Sequence, residues 1–424
     1  MKKVSLAVVA LGVALTVGLP GAFARVEAPK APQADPGINS RSITIGGTFP
    51  FSGPVSSYAP IARGMETYYR YVNARRGPDG RRGVYGRQII FKTYDDGYNP
   101  ARTVQLTNQL ILQDRVFAIV GSLGTEPNLA IRPLLNQRRV PQLQIATGAS
   151  YWGAQHRQFP WTMGWQTDYV AEGRVYGQWI RQNRPNARIA IFYQNDDYGK
   201  DYLRGVKAGL GSRASSMVVN ERSYEVTDTS YASQIAQQRA SGADTWVLLT
   251  TAGTPTVRAL ATGRQLNFRP EQIIINSVAA TDQVMAAAAR TVGQEYLNGT
   301  ISTGYLKNNT NPKYRNDPAI RSFRRIMSRW GPEGGVDIRN TFYYYGVASA
   351  WEFVRVLYAA GRNPTRASLM AAARKRNWVN PYTLAGMRTR TGRNDAFPLD
   401  QGKVVRYNNG TFSEVGRLYD GRPG

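Results

Sequence analysis

Adjacent carboxylates at Asp95 and Asp96, in Tyr94-Asp-Asp-Gly97, have the side-chain types that general acid and base chemistry uses. Neighbours on a strand point to opposite faces, so the pair reads as loop polarity rather than a working dyad. The single histidine, His156, lies in the polar run Gly153-Ala-Gln-His-Arg-Gln, which reads as a surface loop and not as the base of a Ser-His-acid triad. With no cysteine in the chain, disulfides, thiolate metal sites, a cysteine nucleophile and a lipid-modified N-terminal cysteine are excluded, and no cofactor or metal is expected. The remaining candidate suits binding. An apolar, β-branched-rich run from Val116 leads into Gly121-Ser-Leu-Gly-Thr125-Glu-Pro, which reads as a buried strand, a tight turn and a helix start. In open α/β sheets such turns lie at the carboxyl ends of strands, where helix N-termini offer unpaired N–H groups to a ligand. Thr125 is placed to cap that helix or to turn its hydroxyl outward; a plain βα turn fits the same residues.

The elements that must hold this turn come in series. Residues 42–49 alternate as a strand, 50–58 form a turn-rich loop, and Ile61, Met65, Tyr68, Tyr69 and Val72 follow at helical spacing. Residues 86–94 make a second strand, and Asn99-Pro100 reads as an N-cap with proline at the first helical position of a helix running to about residue 114. The Thr125 turn belongs to the third unit, and 140–145 is a fourth strand leading into Ala146-Thr-Gly-Ala-Ser-Tyr-Trp152. After Asp168 the pattern restarts: a helix at 170–184, a strand at 187–193, Asn195-Asp-Asp-Tyr198-Gly as the turn into another helix, and strands at 217–224, 245–250 and 272–276. Beyond residue 299 come a strand near 300–304, helices across 312–330, 340–360 and 365–376, and strands near 403–407 and 411–415. Thr-Phe-Tyr-Tyr-Tyr345 in the second of these helices reads as core and lobe packing. Two successive βα series predict an α/β fold of two three-layer lobes with mainly parallel sheets, and a cleft lined by strand-end loops.

At 424 residues and 42% hydrophobic, the chain can bury two sizeable cores. Met1-Lys-Lys, an apolar run from Val4 to Leu19 and Gly21-Ala-Phe-Ala24 form the three regions of a secretory signal peptide, 1–24, followed by a flexible leader at 25–41. No other segment approaches the ~18 uninterrupted apolar residues of a membrane helix, so the exported chain is expected to be soluble at the outer face of the membrane, periplasmic or extracellular. The formal charge is +26, two less without Lys2 and Lys3. Such a charge points first to nucleic acid, but the basic residues are scattered and no nucleic-acid module appears, so no nucleic-acid partner is expected. The charge reads as a solvated surface that can steer anionic ligands or dock to an acidic envelope surface.

Ile43-Thr-Ile-Gly-Gly-Thr-Phe-Pro-Phe-Ser-Gly-Pro-Val-Ser-Ser-Tyr58, Tyr94-Asp-Asp-Gly-Tyr-Asn-Pro-Ala101, Ile119-Val-Gly-Ser-Leu-Gly-Thr125 and Asn195-Asp-Asp-Tyr-Gly199, in this order and spacing, resemble the extracytoplasmic solute-binding proteins of branched-chain amino-acid-type ABC transporters. The likeness covers the chain from about Ser42. It implies the type I periplasmic binding protein fold, with two lobes joined by a three-segment hinge that close like a jaw over a small ligand. Its implied divisions are 42–167 for lobe 1, 168–297 for lobe 2, 298–383 for a return to lobe 1, and 384–424 for lobe 2 return strands and tail. Thr125, Gly148 and Ser150, with Ala149 between the last two, match residues that hold the ligand carboxylate; Tyr58 and Tyr198 match side chains that close over it from the two lobes. Two positions depart from the pattern. Val278 stands where amino-acid binders place an acid for the ligand ammonium, and Ala252 where they place a second-lobe aromatic. The small disulfide of some members would fall at Tyr98 and Gly124. Stranding a buried ammonium costs several kcal/mol, so the missing acid argues against a free amino acid unless Asp282, four residues on, takes its place.

The resemblance implies no enzyme but a receptor that hands a small, carboxylate- or amide-bearing molecule to ABC permease subunits. A ligand sensor for a signalling receptor and a secreted hydrolase using Asp95, Asp96 or His156 are the alternatives.

Overall fold

In a computed structural model that describes residues 35–420, the two βα series fold into two sheets. The first comprises β1 (Ser42–Phe49), β2 (Gln88–Asp95), β3 (Ala118–Val120), β4 (Gln142–Ile145) and β5 (Thr162–Gly164), all parallel, in the order β2-β1-β3-β4-β5. The second holds β6 (Ile189–Gln194), β7 (Val218–Tyr224), β8 (Thr245–Leu249), β9 (Gln272–Ile275) and β10 (Ile301–Gly304) in parallel pairing. A short hairpin, β11 (Asn377–Trp378) with β12 (Thr389–Arg390), precedes the last two strands, β13 (Gln401–Asn408) and β14 (Thr411–Asp420). These two extend the second sheet antiparallel, giving β14-β13-β10-β9-β8-β6-β7.

The central strands β3, β6 and β8 are buried on both faces, which is why they read as apolar runs, while the edge strands β2 and β7 are partly exposed. Along β6, Ile189 and Ile191 join one core while Ala190 and Phe192 join the other; β3 divides in the same way, with Ile119 opposite Ala118 and Val120. The chain passes between the sheets after β5, after β10 and before β13. Among the described residues no helix is long and apolar enough to cross a membrane.

Helices pack closely where glycines face a neighbour's backbone. Helix Tyr169–Asn183 meets helix Asp197–Leu210 through Gly173, Gly177, Gly205 and Gly209, where a Cβ would lie 2.1–2.5 Å from a carbonyl oxygen of the other helix. Helices Pro60–Ala74 and Thr341–Ala359 use Gly64 and Gly346 in the same way.

Three expectations change. The signal peptide 1–24 lies outside the described residues, but the leader expected to be flexible through residue 41 is held from Asp35 on. Thr44 N donates to the Gly37 carbonyl at 2.7 Å, and Arg366 N donates to the Asp35 carboxylate at 2.6 Å. The return to lobe 1, set at residue 298, falls after Gly304, because β10 pairs with both β9 and β13 in the second sheet. The lobe 2 return, set at residue 384, falls at β13, since β12 pairs with β11 instead of entering that sheet. The three-residue β5 was not predicted at all.

Candidate functional site

Between the two sheets lies a cavity of about 160 Å³, close to the roughly 150 Å³ that holds a benzene-sized guest in an engineered apolar core. First-lobe loops contribute Tyr58, Tyr98, Thr125 and Thr147, the second lobe contributes Tyr198 and Val278, and the passages between them supply Gln166, Tyr169 and Tyr305. The tyrosine run that read as packing also reaches it: Phe342 and Tyr345 line the wall, and Phe342 meets the Tyr58 ring edge-on with 4.9 Å between centroids. Tyr345 donates to Gln166 Oε1 at 2.7 Å, and Gln166 Nε2 donates to the Tyr169 hydroxyl at 3.2 Å. A wall of rings with a few placed polar groups is the usual chemistry of a small-molecule pocket.

Thr125 is the first residue of helix Thr125–Gln137, and the N-cap is Gly124, at φ +101° with no side-chain cap. The Thr125 hydroxyl is therefore free of capping duty and pairs with the Thr147 hydroxyl at 2.6 Å, both buried. Two hydroxyls sharing one hydrogen bond keep one proton for a guest. Tyr58 accepts from Ala252 N at 2.8 Å across the lobes and retains its own proton, which burial holds on more tightly than in free tyrosine. Tyr198 is committed: its hydroxyl donates to the Thr250 carbonyl at 2.8 Å and accepts from Asn276 Nδ2, so it faces the cavity mainly as a ring.

Four expected ligand residues do not line the cavity. The Gly148 carbonyl accepts from Tyr169 N at 2.8 Å, and Ala149 packs with Ile145 and Trp152. Ser150 is engaged by a second-lobe acid: its N–H donates to Asp201 Oδ2 at 2.7 Å and its hydroxyl to Oδ1 at 3.2 Å. Ala252 is buried outside the lining, its N–H donating to the Tyr58 hydroxyl and its carbonyl accepting from the Ser57 hydroxyl at 3.1 Å. At the position of the implied disulfide, the Tyr98 ring packs against Gly124.

The two acids that line the cavity already accept hydrogen bonds, Glu414 from Lys313 Nζ at 3.1 Å, Lys403 Nζ at 3.0 Å and the Tyr314 hydroxyl. Asp282 lines it, but its carboxylate accepts from Asn308 Nδ2 at 3.1 Å, Thr411 Oγ1 at 2.9 Å, Phe412 N at 3.1 Å and the Thr310 hydroxyl. Glu172, buried beneath Ser277, accepts from that residue's N–H and hydroxyl and from Tyr176; burial raises its pKa against these bonds. Asp168 caps helix Tyr169–Asn183 through Ala171 N at 2.7 Å, its other oxygen has no partner, and burial pushes its pKa up to about 7. Burial likewise raises Asp201, opposed by the Ser150 N–H and Arg204. Away from the cavity, Asp95 organises a turn through Phe51 N, Ser52 and Gly97 N, while Asp96 accepts from Tyr98 N and Thr103, so neither forms a dyad. His156 contacts the Gly153 carbonyl at 2.8 Å.

The family described as "Periplasmic binding protein" matches residues 42–411. Leucine-specific-binding protein of Salmonella typhimurium is 22% identical over 168 residues, 39% of this chain and 43% of that relative, so the chain spans less than half of the relative's length. Amino acid binding protein of Pseudomonas aeruginosa is 22% identical over 268 residues, 62% of this chain and 66% of that relative. A branched-chain amino acid ABC transporter protein from Thermus thermophilus, solved with bound valine, superposes with TM-score 0.75 at 16% identity, covering 90% of this chain and 97% of that one. A solute-binding protein of an ABC transporter from R. palustris, solved with 4-hydroxybenzoate, gives TM-score 0.72 at 17% identity, covering 90% and 98%. At these identities the structural likeness is one of fold.

Proposed function

This chain belongs to the periplasmic binding protein family, and we propose that it is an exported, non-enzymatic receptor that binds a small solute between its lobes and delivers it to an ABC permease. The lobes close over the ligand, with Thr125 reaching it from the first lobe and Tyr198 from the second. The ligand is a carboxylic acid or a neutral amide-like compound with an apolar or aromatic body, preferred over a free α-amino acid. The observation that carries this reading is the state of the acids: Val278 lines the cavity, and Asp282 beside it already accepts four hydrogen bonds. An ammonium brought here meets only carboxylates whose lone pairs are already taken, those of Asp282 by four neutral donors and those of Glu414 by Lys313, Lys403 and Tyr314. The Thr125 and Thr147 pair and Tyr58 still offer protons to an oxygen of the guest. Solved structures of the same fold carry valine in one case and 4-hydroxybenzoate in another, so the fold accommodates both classes.

A thermal-shift panel of branched-chain amino acids, aromatic and aliphatic acids and their amides tests the reading, since a ligand that binds only the folded state raises the melting temperature with occupancy. Acids or amides should give the largest shift. Leucine, isoleucine or valine in first place would overturn it.

A further inference from the structure

Among the described basic residues only Lys307 lines the cavity, and the fold gathers the others unevenly. In the stretches that build the first lobe, 35–168 and 305–400, 32 lysines and arginines stand against 14 acids; in those of the second, 169–304 and 401–420, 17 stand against 13. The excess surfaces where helix Pro60–Ala74 packs beside helix Pro318–Trp330. The latter buries Ala319, Phe323, Ile326 and Met327 and turns Arg321, Arg325 and Arg329 to solvent. At the seam the Tyr71 and Trp330 rings meet edge-on with 5.0 Å between centroids, Arg75 lies 5.0 Å over Tyr71, and Arg329 lies 4.9 Å over Trp330. We infer that this first-lobe face is a docking surface for an anionic phospholipid bilayer.

The charges of this face are not neutralised within the chain. Among the described residues Arg75, Arg76, Arg321, Arg325 and Arg329 have no ion pair. Of the acids in and beside the two helices, Glu66 is held by Arg70 at 2.6 Å, Asp317 by Lys307 at 2.9 Å and Asp337 by Arg339 at 2.9 Å, which leaves Asp79 and Glu333. A guanidinium stacked on a ring, as Arg329 is on Trp330, keeps its in-plane N–H groups for a phosphate, which they grip two at a time. Tyrosine and tryptophan rings suit the headgroup level of a bilayer, where one end of the ring is apolar and the other wet. Nucleic acid is the other polyanion such a face fits, but the export signal expected at 1–24 leads to a compartment bounded by phospholipid. The chain also has no cysteine to carry a lipid anchor. Each guanidinium close to an anionic bilayer strengthens binding about fivefold, so the five together give a reversible, salt-sensitive hold. A hold through the first lobe alone leaves the second free to swing, as the closure proposed above requires; the docking itself needs no guest.

The exported chain is sedimented with vesicles of phosphatidylcholine alone and of equal parts phosphatidylcholine and phosphatidylglycerol. It should bind only the anionic vesicles, and less as salt rises. Arg321→Glu combined with Arg325→Glu should weaken that binding about thirtyfold or more. The same change of charge at two exposed second-lobe positions, Arg239→Glu with Arg269→Glu, should weaken it less than about threefold. No binding to anionic vesicles, equal binding to neutral ones, or equal losses in the two double variants overturns the inference. So does a preference for duplex DNA over anionic vesicles, which would assign the face to a soluble polyanion. A second readout keeps every arginine in place. The chain has no native cysteine, so an environment-sensitive fluorophore can be attached at Ser328→Cys, between Arg325 and Arg329, or at Ser215→Cys on the second lobe, both exposed positions. On addition of anionic vesicles the label at 328 should shift to the blue and be quenched by spin-labelled lipid, while the label at 215 stays unchanged. Equal responses from the two labels sink the inference.

Discussion

Asp201 and Asp282 are both buried carboxylates on second-lobe helices beside the cleft, and their hydrogen bonds run in opposite directions. Asp282 turns back on its own lobe and the adjoining passage, collecting Asn308, Thr310, Thr411 and Phe412 N, and so ties the start of helix Asp282–Val292 to the passage after β10 and to β14. Asp201 reaches across the cleft to a residue of the other lobe. Position beside a cavity therefore does not make an acid a ligand partner. The origin of its donors decides: donors from the same lobe fix structure, donors from the opposite lobe couple to closure.

The largest expected effect tests the structural half of this comparison. Asp282→Ala leaves the Thr411 hydroxyl and Phe412 N without their acceptor, while Asn308 Nδ2 and the Thr310 hydroxyl keep others; unsatisfied buried groups cost about 1–3 kcal/mol each, so the net loss is about 3 kcal/mol. The unfolding midpoint, followed by circular dichroism, should fall by several degrees while the order of preferred ligands is unchanged. Loss of ligand binding with stability intact would break the comparison, because Asp282 would then be a ligand partner.

Tyr58→Phe examines a bond across the lobes that carries no charge. It removes the acceptor of Ala252 N only when the lobes meet, so affinity by calorimetry should weaken about tenfold, the equivalent of ~1.4 kcal/mol. The melting temperature of the unliganded protein should hardly move. A large loss of stability without loss of affinity would assign the bond to folding instead of closure.

The smallest effect sharpens the rule with a third acid. Asp168 has one oxygen bonded and one without a partner, and burial raises its pKa to about 7. A carboxyl whose folded pKa exceeds its ordinary value near 3.8 contributes stability that is full below about pH 4 and is lost as pH rises through about 7. Asp168→Asn keeps the cap, since asparagine is also a good N-cap, but cannot ionise. Its unfolding free energy relative to wild type should rise from pH 4 to 8, as denaturant titrations at each pH will show. A difference that is flat across this range would remove Asp168 from the comparison.

Local signals made much of the frame legible. The apolar run before Gly121 became β3, Asn99 caps helix Pro100–Leu112 through Arg102 N, and the repeat after Asp168 became the second sheet. Long-range pairing was not legible. β5 has three residues, too few for a period, and β10 joins its sheet through β9 on one side and, on the other, through β13, about a hundred residues later. The site divides in the same way. Tyr58, Thr125, Tyr198 and Val278 were reachable by motif and do line the cavity, whereas the role of Ser150 depended on an acid 51 residues away that no local pattern links to it. The Phe342 and Tyr345 rings were visible as aromatics, but helical spacing cannot separate a core face from a cavity wall.

The glycine contact between helices Tyr169–Asn183 and Asp197–Leu210 has a mechanical consequence. The first helix begins where the chain enters the second lobe after β5, and the second carries Tyr198 and Asp201. Backbone pressed on backbone at four glycines leaves no slack between them. The pair works as one stiff lever arm, and any rotation at the first passage reaches Tyr198 and Asp201 together. Under the proposed closure, grip on the guest and fastening of the two lobes would be geared to a single stroke, and a Gly205→Ala wedge would throw both out of mesh at once.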